Sequence, residues 1–240
     1  MRLLLLFLLL LASRLPAAEL APFEAEYRVF VSKIPTPVKA RLTLEALPGK
    51  DQYRIQLEAR SFLLRNAETS HFTWNDCAPR TSTYRHEFRG FGVRRHHDMT
   101  FSWNPPEVHN KDQEDKEDVF TVPDDTLDEL TLLLKARCAF ADGATEYHAF
   151  TAYGDDLKEH VLEIVDREQI KTPVGEMDTL VIRKQRRESS ERSTYFWIAP
   201  ALDYMLVKAR HVENPALFGE LILRDISLVP ASAELPAGED

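Results

Sequence analysis

The chain of 240 residues carries 39 acidic against 30 basic side chains, a formal charge of −9. Hydrophobic residues make up 44% and charged residues 29%, the balance of a folded globular protein and not of a disordered one. The negative balance repels phosphate backbones and anionic headgroups, which excludes nucleic acid as a partner but leaves acyl chains, held by apolar pockets, open.

Met1 and Arg2 lead into an apolar, leucine-rich run over 3–12, followed by Pro16-Ala17-Ala18. A charged start, a short apolar core and small residues at the end define a secretory signal peptide over 1–18. The run is about half of the roughly 20 apolar residues that a membrane-spanning helix needs. The mature protein is therefore expected to start near Glu19 and to be exported, soluble and periplasmic. Without Arg2 and Arg14 its charge falls from −9 to −11. No cysteine follows the apolar core, so an acyl anchor is not expected. Residues 19–229 read as a single β domain and 230–240, small, acidic and proline-containing, as a flexible tail.

From Phe23 the pattern has period two. Phe23, Ala25, Tyr27, Val29 and Val31 alternate with Glu24, Glu26, Arg28 and Phe30, a strand with one buried face. Leu42, Leu44 and Ala46 form the next strand, closed by Pro48-Gly49, and Tyr53, Ile55, Leu57 and Ala59 form the third. Short connections make these a meander of antiparallel neighbours. Segments 62–74, 80–89 and 92–103 continue it, the last with Val93, Met99, Phe101 and Trp103 on one face. Asn104-Pro105-Pro106 stops that strand, because proline cannot donate to the ladder. The mixed-charge run over 111–118 reads as a solvated hairpin; it lacks the central glycine and terminal glutamate of a calcium loop.

One segment breaks the period. Leu127, Leu130, Leu133, Leu134 and Ala136 recur at helical spacing, with Asp125 as the expected N-cap and Asp128 and Glu129 in the first turn. The spacing predicts a helix over 126–139, ended by Asp142-Gly143. Its wide apolar stripe requires cover, and the concave side of a curved sheet supplies it. Strands resume at 146–153 and 158–168. Thr172-Pro173-Val174-Gly175 then marks a hairpin: proline presets the turn and glycine takes positive φ. Segments 177–186, 193–198, 204–212 and 217–229 complete a set of about ten to twelve strands. The charged stretch 183–192 bridges two of them as a hairpin with a solvated tip. The expected fold is mainly β, a curved antiparallel meander sheet or half-barrel with one substantial helix on its concave side.

Cys77 and Cys138 are an even pair in an exported chain, which reads as a disulfide; two buried free thiols are the alternative. A bridge would close a loop of about 60 residues, worth about 4 kcal/mol in the chain-entropy model. No C-x-x-C spacing points to redox chemistry. His71, His86, His96, His97 and His109 cluster in sequence, yet no H-E-x-x-H or Cys/His ligand spacing accompanies them, so solvated strand histidines are expected and no metal. Ser189, Ser190 and Ser193 lie in the charged hairpin without a Gly-x-Ser-x-Gly elbow. No catalytic residue and no cofactor is assigned.

The residues that could bind a ligand are apolar. Tyr195 and Trp197 share one strand face with Tyr204 nearby. They read either as core beside the tight turn at Pro200 to Asp203 or as one wall of an apolar pocket. Phe101, Trp103, Leu130 and Leu134 would complete that pocket.

Several motifs occur in order along the chain: Phe23-Glu24-Ala25-Glu26-Tyr27, Trp74 with Cys77-Ala78-Pro79, Pro123-Asp124-Asp125-Thr126-Leu127-Asp128, Thr172-Pro173-Val174-Gly175 and Phe196-Trp197-Ile198-Ala199-Pro200. Together they resemble the bacterial exported family called domain of unknown function 3108. The resemblance implies a Gram-negative envelope protein with a curved antiparallel sheet, and it implies no activity. A more distant likeness is to lipoprotein-carrier half-barrels, in which a sheet wraps a helical plug around an acyl-chain cavity; that likeness is of fold alone. The function expected is non-catalytic binding of an apolar or amphipathic envelope ligand such as lipid. The alternatives are an envelope structural or assembly factor acting through protein contacts, and an envelope hydrolase. Lipid or an envelope protein is thus the expected partner.

Overall fold

The computed structural model describes residues 20–186 and 192–228. The signal segment 1–18, the tip of the charged hairpin with Ser189 and Ser190, and the tail 230–240 lie outside the described residues. Fourteen strands form one antiparallel sheet: β1 (Phe23–Val31), β2 (Ile34–Ala46), β3 (Gln52–Arg60), β4 (Leu64–Asn75), β5 (Ala78–Gly90), β6 (Val93–Trp103), β7 (Pro106–Asp112) and β8 (Glu117–Thr121) precede the helix α1 (Glu129–Ala141). After it come β9 (Glu146–Tyr153), β10 (Asp156–Thr172), β11 (Gly175–Arg186), β12 (Ser193–Ala199), β13 (Met205–Asn214) and β14 (Leu217–Leu228). The strand order β8-β7-β6-β5-β4-β3-β2-β1-β14-β13-β12-β11-β10-β9 puts the first and last strands side by side at the centre. The chain walks outward from β1 to β8, crosses through α1 to the opposite edge, and walks back from β9 to β14.

The period-two reading holds where one face is buried. Phe23, Ala25 and Tyr27 are buried while Glu24 and Glu26 are not, and Tyr53 and Ile55 alternate with Arg54 and Gln56 in the same way. The hairpin at Thr172 to Gly175 joins β10 to β11, with Gly175 at a φ of 133°. The run over 111–118 is a hairpin too, but its arms extend into β7 and β8, a strand pair that alternation does not mark. Charge fills the outward positions there, and Pro106 lies at the first residue of β7, where its missing N–H is tolerated.

The helix lies on the concave face, against β3, β4, β5 and β9. It begins three residues later than expected, with Asp128 and not Asp125 as its N-cap. The reason is a competing partner: Leu127 donates to the Phe150 carbonyl and accepts from Ala152 N, both at 2.9 Å, so this segment is spent as a bridge to β9. The Asp128 side chain then accepts from the backbone N–H of Leu130 and Thr131, and Thr131 Oγ1 accepts in return from Asp128 N. A disulfide joins Cys77, in the turn between β4 and β5, to Cys138 in the last turns of α1, with Cα atoms 6.1 Å apart.

Candidate functional site

The concavity contains two cavities of opposite character. On one flank of α1 an apolar cavity of about 40 Å³ is lined by Phe23, Leu134, Ile182, Phe196 and Tyr204, among others. It holds about a water or two. The second measures about 460 Å³, and its walls are charged: Glu68, Arg95, Glu129, Lys158 and Lys184 face it with His86, Tyr153 and His160. That volume lies within the range of small-molecule sites. Phe196 borders both cavities.

Strand register builds the polar wall. Glu68, His86 and His97 are direct cross-strand partners on β4, β5 and β6, so their side chains stand on one face. Tyr153 reaches this wall from β9; its ring centroid is 5.1 Å from that of His97. Side chains of β5 and β6 thus meet β9, with which they share no backbone ladder. Gly154 follows Tyr153 at a φ of 63°, and a Cβ there would lie 2.9 Å from the His97 ring.

The hydrogen bonds fix a protonation pattern. Glu68 accepts from the Tyr84 hydroxyl at 2.8 Å and from Asn66 Nδ2 at 3.2 Å, while burial raises its pKa. His86 Nε2 lies 2.8 Å from Asn66 Oδ1, and its Nδ1 lies 2.7 Å from the Tyr153 hydroxyl. With the carbonyl oxygen of Asn66 as acceptor, Nε2 carries the proton and Nδ1 accepts from Tyr153. Burial, with nearby His97 and Arg95, lowers His86 to about 4, and burial raises Tyr153 to about 12. Across the cavity, Glu129 in the first turn of α1 accepts from Lys184 Nζ at 2.6 Å and from Thr151 Oγ1 at 3.1 Å. Burial opposes its charge, but Lys184 and His160 outweigh that and hold its carboxyl well below the usual range.

A pH dependence follows from His86. The unfolded imidazole takes a proton near 6.5 and the folded one only near 4, so stability falls as pH drops through that window, by about 3 kcal/mol at its end. His160, also lowered chiefly by burial, acts in the same direction. Glu68 acts in the opposite sense: its contribution is present below 4.5 and is lost as pH rises. Urea unfolding at pH 7 and pH 4.5 measures the difference, and His86→Gln is expected to reduce it; an unchanged difference would exclude His86 as the source.

The apolar residues singled out in sequence do not gather into one pocket. Leu130 and Leu134 are buried on α1, and Leu134 and Tyr204 line the small cavity. Phe101 and Trp103 stack at 6.0 Å on β6, where Trp103 Nε1 donates to the Thr81 carbonyl. Tyr195 and Trp197 face away from their neighbour Phe196; Trp197 donates to Glu168 at 2.8 Å beneath Lys208. The histidines also divide. His86 and His97 face inward, whereas His71 and His109 sit on an outer row with Thr83 and Thr100. No group of three or more His, Cys, Asp or Glu side chains is placed to hold a metal ion among the described residues. Sequence reasoning missed Glu68, Arg95, Tyr153 and His160. The available signal was parity: Glu68 shares its strand face with buried Ser70, so it points inward.

A curved antiparallel sheet, left open along one seam and plugged by one helix, with a charged cavity, defines a β-barrel-like protein. Residues 26–216 match the model of the family described as "Protein of unknown function (DUF3108)", and the chain belongs to that family. No curated protein matches it. Among solved structures it is similar to the beta-barrel-like protein of domain of unknown function DUF1849 from Brucella abortus, with a TM-score of 0.58 and 8% identity. That match covers 89% of this chain and 100% of the other, and at such identity it is a likeness of fold.

Proposed function

We propose that the protein is a non-catalytic binding protein of the bacterial periplasm that takes an anionic, amphipathic envelope molecule such as a lipid by its polar head. The observation that carries the reading is the contrast between a charged cavity of about 460 Å³ and an apolar one of about 40 Å³. Arg95 and Lys158 would meet the anion, and the Tyr153 side would supply hydrogen bonds. Only the first carbons of the apolar part would reach past Phe196 toward Leu134 and Tyr204, where the free space is about 40 Å³, with Leu130, Phe101 and Trp103 as the packed support behind; Tyr195 and Trp197 would stiffen the other face of β12. The leucine-rich leader and the disulfide support export, and no helix of the described residues is long and apolar enough to cross a membrane.

Mass spectrometry of protein purified from its native envelope tests the reading. A co-purifying anionic amphiphile near one equivalent is expected. Arg95→Ala, at an exposed side chain, is expected to reduce it severalfold without changing Tm. Protein that carries no small molecule and takes up no fluorescent fatty acid would overturn it.

A further inference from the structure

Two hairpin tips share a sequence pattern: Arg60-Ser61-Phe62-Leu63-Leu64-Arg65 between β3 and β4, and Arg89-Gly90-Phe91-Gly92-Val93-Arg94 between β5 and β6. Each sets an aromatic ring two residues beyond an arginine and closes with a second arginine. The rings are in water: Phe62 is 85% and Phe91 78% exposed, with Leu63 at 57% beside them. The tips are held side by side, because Leu64 pairs with Gly90, where a Cβ would lie 2.9 Å from the leucine side chain.

Beneath the tips, register produces a row that neither hairpin shows alone. Arg28 pairs with Lys39, Lys39 with Arg60, Arg60 with Arg65, Arg65 with Arg89, and Arg89 with Arg94. Six cations thus stand directly opposite one another across β1 to β6, all of them exposed. Like charges in direct cross-strand pairs destabilise a sheet. The ion pairs that the row makes among the described residues are two long ones, from Glu58 to Arg60 and to Arg65, at 3.9 Å each. A chain with a net charge of −9 therefore concentrates positive charge along one rim at a cost to its own stability.

We propose that this rim docks on the anionic phospholipid surface of an envelope membrane. Strand spacing of about 4.8 Å spreads the six cations over roughly 25 Å, a front suited to a surface and not to a small anion. Phe62 and Phe91 lie past the ends of β3 and β5, at most about 7 Å beyond the row by strand rise. With the row at the phosphates, the rings reach the acyl boundary, the depth at which interfacial elements bury apolar groups. A soluble polyanion would satisfy the arginines but leave both rings in water. Arg95, one residue past the row, has the opposite parity and lines the charged cavity, so docking would set that cavity beside the headgroups.

Co-sedimentation of the mature protein with vesicles tests the proposal. Binding to vesicles of phosphatidylglycerol with phosphatidylethanolamine is expected, with little to phosphatidylcholine and a steep loss on adding salt. Arg65→Gln with Arg89→Gln is expected to weaken it about 30-fold, from the attraction each basic residue adds near an anionic surface. Its Tm should be unchanged or higher, since a like-charge pair is removed. Phe62→Ser with Phe91→Ser should weaken binding at constant Tm. Equal binding to both vesicle types, or full binding by the arginine variant, would overturn the proposal. So would capture by dextran sulfate together with vesicle binding that the phenylalanine variant leaves intact. Protein found with an empty cavity would sink the ligand reading alone and leave this rim untouched.

Discussion

Asp128→Ala is expected to cost about 3 to 5 kcal/mol of folding stability. Asp128 is fully buried and caps α1 by accepting from Leu130 N at 2.8 Å and Thr131 N at 3.0 Å. Its other oxygen accepts from three hydroxyls: Ser70 at 2.7 Å, Thr81 at 2.6 Å and Thr131 at 2.8 Å. An ordinary cap is worth about 1 kcal/mol. Here truncation strands five donors away from water, and two of them belong to β4 and β5, so the helix also loses its tie to the sheet. Asp128→Asn keeps the volume but turns an amide NH₂ toward donors, and it should recover less than half of the loss. Urea unfolding at constant pH measures both. A loss below about 1 kcal/mol would mean that Asp128 acts as a local cap only.

Cys77→Ala with Cys138→Ala is expected to lower stability by about 2 to 4 kcal/mol. The bond closes a loop with a sequence separation of 61, which contains β5 to β8 and most of α1. It fastens the far end of a helix whose near end Asp128 holds. The same decrease should appear when the native protein is unfolded with and without reductant. Identical unfolding midpoints would show that Asp128 and the packing of Leu130, Leu134 and Phe140 keep α1 in place without the bond.

The sheet was legible in the sequence wherever one strand face is apolar, as in β1 and β3, and the helix was legible from its leucines. Its first turn was not. Thr126 and Leu127 fit a helix by spacing, but Thr126 N turns back to the Pro123 carbonyl and Leu127 pairs with β9, and spacing carries no information on that partner. The charged cavity was hidden for a related reason. Alternation rests on the rule that polar means outward, and β4 to β6 break it where they enclose the cavity, so Glu68, His86 and Arg95 read as solvated residues. Parity with buried neighbours on the same strand would have placed Glu68 and His86 inward. The cationic row depends on five successive registers. Arg60 and Arg65 can be paired from one short turn, but Arg28 meets Lys39 only through a register shift between β1 and β2 that their sequence does not announce.

The strand order has a consequence for how the protein is made. Phe23 finds its lateral partner in Leu228, so the first strand of the described chain waits for the last one. During synthesis, N-terminus first, β1 presents bare amides and carbonyls along one side until nearly the whole polypeptide has followed. Unfinished intermediates therefore expose an adhesive border until β14 is made, and completion of the sheet at its centre is necessarily a late event.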